Sequence, residues 1–168
     1  MDLITDPKVV EVLAKQNERH TLDFFRFLKV NKRSKEIDAV VHQLNDSVTS
    51  KIDCTQCGNC CKTMNAAMTQ KEMTVLASCI SLSPQKFKED YLEHDEIENA
   101  YFIKTPPCVF LKDNKCMVYQ QRPASCAEYP HLNKPNFIFR AYSVHANYEC
   151  CPIVFNVVEK LKQHYHFR

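Results

Sequence analysis

Glycine is nearly missing from this chain. A single one, Gly58, stands in 168 residues, where a globular domain averages roughly 7%. Also missing is any run close to the roughly 20 apolar residues of a membrane helix. The first residues, Met1-Asp2-Leu3-Ile4-Thr5-Asp6-Pro7, lack the basic and apolar regions of a secretory leader. The expectation is a cytoplasmic protein with no membrane partner. Charge excess is absent as well: the formal net charge is +2, with acids and bases mixed along the chain, which leaves no electrostatic footprint for a nucleic acid. No Gly-rich phosphate loop, HExxH motif or Gly-x-Ser-x-Gly elbow is present. Hydrophobic residues at 45% and charged residues at 25% are ordinary values, and the length suffices to bury a core.

Cysteine, by contrast, is plentiful, with ten residues. In a reducing compartment these point to metal binding or redox chemistry; a secretory route would turn the same residues into disulfides. Four fall within the eight residues Cys54-Thr55-Gln56-Cys57-Gly58-Asn59-Cys60-Cys61, and the lone glycine lies among them. A CxxC turn brings two thiolates to one small centre, and the backbone must then turn its amides toward sulfur. Glycine reaches the positive φ of such a turn without a Cβ clash. Cys60 and Cys61 are adjacent, so their side chains diverge and are poorly placed to share one mononuclear ion. Two neighbouring centres or one polynuclear cluster follow, with a strained vicinal disulfide as the competitor.

The rest of the chain reads as helices and short strands. Asp6-Pro7 is a helix start, and the apolar sets Val9, Val10, Leu13 and Leu22, Phe24, Phe25, Phe27, Leu28 form one long helix or two short ones. Ser34 can cap an amphipathic helix carrying Ile37, Val40, Val41, Leu44 and Val48. Residues 50–68 hold few large apolar side chains, so burial alone cannot order them. Thr69-Gln70-Lys71-Glu72 is a capping box, with Met68 and Met73 at the spacing of a hydrophobic staple. Cys79 beside Met73, Leu76 and Ile80 reads as a small core hydrophobe and not as a ligand. Ser83-Pro84 opens a short helix ending near His94-Asp95. Strand-like runs follow at Tyr101–Ile103, Cys108–Leu111 and Cys116–Tyr119, the last two joined by the turn Lys112-Asp113-Asn114-Lys115. That hairpin would bring Cys108 and Cys116 together. Phe137, Phe139 and Tyr142 suggest another strand. Cys150-Cys151-Pro152 precedes a final helix with Ile153, Val154, Val157, Val158 and Leu161 on its apolar side, which makes Cys151 the N-cap and the preferred ligand of the last pair.

The candidate ligands are therefore Cys54, Cys57, Cys60, Cys61, Cys108, Cys116, Cys126 and Cys151. With CTQCGNCC, the block TPPCVFLKDNKCMVYQQRPASCAEYP and a late cysteine before the last helix, the chain resembles the YkgJ-like CxxCxxCC family over about residues 50–155. The resemblance implies a zinc- or iron-chelating domain. Ala127 stands where the family usually has arginine, Met117-Val118 where a small residue and isoleucine are common, and the turn lacks its usual glycine.

The fold expected is α+β, a small metal-nucleated cysteine-cluster domain with short strands and flanking helices. Residues 1–50 form a helical extension that packs on it or meets a protein partner, and residues 51–168 the cluster domain. Eight thiolates make two closed zinc sites, which imply a structural or interaction module. Three cysteines at C-x-x-C-x-x-C spacing with a remote fourth suit an iron–sulfur centre, and with it an iron–sulfur or thiol-based oxidoreductase or its accessory subunit. Lys51, Lys62 and Arg122 are placed to balance thiolate charge, and Arg122 to donate to backbone carbonyls or sulfur.

Overall fold

The computed structural model describes residues 2–168. In chain order it has α1 (Pro7–Gln16), α2 (Glu18–Asn31), α3 (Ser34–Thr49), α4 (Cys54–Cys57), α5 (Asn59–Thr63), β1 (Ala67–Met68), α6 (Gln70–Cys79), α7 (Pro84–Tyr91), β2 (Leu92–Asp95) and β3 (Ala100–Ile103). There follow β4 (Leu111–Lys112), β5 (Lys115–Cys116), α8 (Ala124–Ala127), α9 (Ala141–Tyr148) and α10 (Pro152–His164), with short 3-10 turns at Tyr119–Gln121 and Phe137–Arg140. This is an α+β chain, with helices dominating two small antiparallel sheets. It divides into two compact units: the residues up to Cys57 together with Pro130–Arg168, and Gly58–Tyr129.

The first unit is helical. The two apolar sets near the N-terminus form two helices, because the backbone breaks at Asn17, which closes α1 and opens α2. Ser34 is the first residue of α3 and not its cap. The last helix packs on α3, α9 and α1. Besides the expected Ile153, Val154, Val157, Val158 and Leu161 it buries Phe155, Asn156 and Lys162, so the stretch from Pro152 to Val158 is covered on every side. Its buried polar groups are paired. The Asn156 side chain accepts from Ile4 N (3.0 Å) and donates to Ile4 O (2.7 Å). Lys162 Nζ donates to Thr21 Oγ1 (2.9 Å) and Glu159 Oε1 (2.6 Å), and Tyr148 Oη donates to the same carboxylate oxygen (2.6 Å).

Phe137–Tyr142, expected as a strand, is a 3-10 turn running into α9. The alternation of Phe137 and Phe139 misleads here. Asn136 takes a left-handed conformation (φ 61°), and the Asp38 carboxylate accepts from the amides of Asn136 (2.8 Å) and Phe137 (2.9 Å), so the segment starts as a capped helix.

The second unit is built on Met68, Met73, Leu76, Phe87, Leu92, Ile103, Phe110 and Val118. The Thr69–Glu72 capping box forms as read, and Met68 and Met73 are both buried. Cys79 is exposed, contrary to its reading as a core residue; its thiol donates to the Val75 carbonyl (3.4 Å). β3 is the central strand of the order β1-β3-β2, with Ala67 opposite Phe102 and Leu92 opposite Ile103. Strand β2 occupies the stretch read as the end of the preceding helix. That helix stops at Tyr91, and Leu92 is already extended.

Candidate metal centre

The cysteine-bearing pieces of the second unit are short, and each is held by backbone chemistry. Gly58 has φ 59° and stands at the N-cap of α5, the single turn that carries Cys60 and Cys61. The Cys108 amide donates to the Cys61 carbonyl (2.7 Å), which joins the first cysteine pair to the second block. β4 and β5 form a tight hairpin, Leu111 opposite Cys116, with Asp113 and Asn114 both at positive φ. These are the residue types that tolerate that region. Cys108 lies just outside the hairpin and not at its end, since Cys116 pairs with Leu111. Its carbonyl nevertheless accepts from the Leu111 amide (2.9 Å), so the loop folds back.

Cys126 sits on α8, whose first amide, Ala124 N, donates to Glu72 Oε1 (2.8 Å). The other oxygen of that carboxylate accepts from the Thr69 amide and hydroxyl (2.8 Å each). Ser125 Oγ donates to the Ala67 carbonyl. Glu72 and Ser125 were not singled out from sequence as supports of the cluster. The capping box is a visible signal for Glu72, but nothing local shows that its second oxygen is reserved for a helix some fifty residues on.

Five thiols are brought together in this unit. The Cys60 and Cys61 sulfurs are 4.0 Å apart. The Cys108 thiol is pushed up to about 11, chiefly by burial; the Phe110 amide pulls it back, and charge on Cys61, Cys126 and Cys116 pushes it further. Cys116 is raised by burial, against the pull of the Val118 amide and Arg122, with Cys61 adding to the rise. Cys126 is raised by burial too, against its hydrogen bond with Ser125 and the charge of Arg122. Cys61 goes the other way, to about 7, first through its contact with Cys60 and then, against burial, through Arg122 and Lys62. Cys108 and Cys116 thus each face the amide two residues further on. Donation of N–H to sulfur favours the thiolate and orients it for an ion.

Arg122 behaves as expected. Its Nε donates to the Tyr119 carbonyl (2.9 Å) and its guanidinium lies 3.6 Å from the Tyr119 ring centroid, which aims its charge at the thiols.

Apart from Cys79 on α6, the remaining cysteines belong to the helical unit. Cys54 and Cys57 stand at the two ends of α4, a turn whose N-terminal side is held by Asp53 Oδ1, accepting from Thr55 N (2.8 Å) and Thr55 Oγ1 (2.7 Å). Cys151 is the N-cap of α10 with proline in its first turn, as read, and is buried; the Cys150 thiol donates to the carbonyls of Ala146 and Asn147. None of the ten cysteines is in a disulfide.

Half-buried thiols converging from three chain segments, with amides and a guanidinium turned toward them, define a cysteine-cluster domain. Residues 53–152 match the family model CxxCxxCC, described as "Putative zinc- or iron-chelating domain". This is more than half of the chain, which belongs to that family. No curated protein and no solved structure matches it. Among the described residues no helix is long and apolar enough to cross a membrane.

Proposed function

We propose that this chain holds zinc or iron through a thiolate cluster that serves as a structural or interaction module, with Cys60, Cys61, Cys108, Cys116 and Cys126 as ligands. The sequence pattern adds Cys54, Cys57 and Cys151 to the donor set, giving the eight thiolates that two tetrahedral sites need. One observation carries the reading. The half-buried thiols of the second unit crowd one another, with charge on Cys61 and Cys116 pushing both Cys108 and Cys126 toward the protonated form, and Arg122 and Lys62 are the two cations that act on Cys61. Five ionised sulfurs against two cations leave a net negative charge, and a thiophilic cation is what such a donor set accepts.

Metal and acid-labile sulfide analysis with a visible spectrum, on untagged protein purified without oxygen, tests the proposal. Zinc in a colourless protein, or iron and sulfide in a brown one, supports it; protein with neither metal and fully titratable thiols overturns it. A second reading, a thiol-based oxidoreductase or a subunit of one, is favoured by the lowered Cys61 beside Arg122 and Lys62, the cationic setting that activates a thiol. Its mark is alkylation of Cys61 at neutral pH in the metal-loaded protein, which a closed site prevents.

A further inference from the structure

A second group of metal-ligating side chains lies in the helical unit, built from residue types the cysteine cluster does not use. Glu18 is the first residue of α2, His145 lies in the last turn of α9, and Glu149 is the C-cap of α9 one turn further on. One donor atom from each lies within 4.8 Å of the other two.

This arrangement is unfavourable as it stands. Two carboxylates are held at close quarters. Glu149 also sits at a helix C-terminus, where the carbonyl ends of the peptide dipoles repel negative charge. His145 does not resolve this by hydrogen bonding, for its Nδ1 is 3.9 Å from Glu149 Oε1, and its buried Nε2 has no hydrogen-bond partner among the described residues. Lys15 on α1 feels the charge of Glu149, but its Nζ is committed to Glu11 Oε1 at 2.6 Å. The imidazole is held in place by the ring of Phe25, edge-on at 6.4 Å. Its side chain is 16% exposed, so it cannot swing out to water without disturbing the core.

We infer that Glu18, His145 and Glu149 form a divalent-cation site of one imidazole and two carboxylates, distinct in donor chemistry from the thiolate cluster. Two carboxylates neutralise a doubly charged ion. Nitrogen and oxygen donors suit first-row divalent ions such as zinc, iron or manganese. Three protein ligands leave coordination positions for water or a small anion, unlike a closed thiolate site.

The probe is manganese(II) alone, added to the full-length protein as purified. Manganese favours oxygen donors and is a poor match for soft thiolates, so it reads this site whatever fills the cysteines. The bound fraction is counted from the loss of the free-ion electron paramagnetic resonance signal. The expected result is a saturable class of one ion per chain, weakened about tenfold or more by Glu18→Gln and by Glu149→Gln. Both substitutions keep side-chain shape at partly exposed positions, and circular dichroism confirms that each variant folds. Absence of saturable binding, or binding unchanged in both variants, overturns the assignment.

Discussion

Gly58 lies against the backbone of Asn114: a Cβ on the glycine would stand 3.1 Å from the Asn114 carbonyl oxygen and 3.3 Å from its Cα. The hairpin turn between β4 and β5 is thus seated on the one residue of the chain that has no side chain. Gly58→Ala meets both a left-handed backbone, worth about 1–2 kcal/mol, and this contact. The melting temperature and the metal content are expected to fall together. Gly58→Asn, which eases only the backbone cost, recovers part of the loss.

Cys108 and Cys79 separate ligand from bystander. Cys108→Ser removes a thiol that faces the Phe110 amide and three other sulfurs, and its metal content is expected to drop well below that of the parent protein. Cys79 is exposed and bonds only within its own helix, so Cys79→Ser leaves metal content unchanged. Elemental analysis of the two variants side by side reads the difference.

Glu72 carries two duties that substitutions can split. Thr69→Ala removes the cap and costs about 1 kcal/mol, leaving the Glu72 bond to α8 in place. Glu72→Ala also strips the acceptor from Ala124 N and costs about 0.5–1.5 kcal/mol more. The expected sign of its second duty is metal affinity: a competition titration with a chelator shows a loss of about 10–100-fold in Glu72→Ala and little change in Thr69→Ala.

Tyr148 sets a limit at high pH. Its phenol is raised above the usual range, first by burial and then by its hydrogen bond to Glu159. In the unfolded chain it ionises near pH 10, while in the fold it keeps its proton. The unfolded state then binds fewer protons, so the stability this group supplies is complete below about pH 10 and falls by at most about 1.4 kcal/mol per pH unit above it. Denaturant unfolding from pH 8 to 11 is expected to show the parent protein losing its advantage over Tyr148→Phe. A constant difference between the two across that range would contradict the assignment.

Local chemistry made much of this readable in advance. Thr69 and Glu72 announce a helix start by themselves, as do Ser83-Pro84 and Cys151-Pro152, because a cap needs only neighbours in sequence. The family block around Cys108, Cys116 and Cys126 is legible for the same reason, as spacing. What failed depended on distant partners. Phe137–Tyr142 coils because Asp38, about a hundred residues earlier, binds its first amides. Cys79 has ligand-like chemistry and core-like spacing, yet neither neighbour set reaches it. His145 drew no notice, since its meaning depends on Glu18 arriving from another helix.

The residues of the second unit run without interruption from Gly58 to Tyr129, whereas the helical unit is split and needs α10 to complete it. All five clustered thiols therefore belong to one uninterrupted stretch of chain, while the helical unit must bring together two separated halves. Contacts near in sequence close faster than distant ones, so the thiol-bearing unit is the part of the chain placed to assemble first.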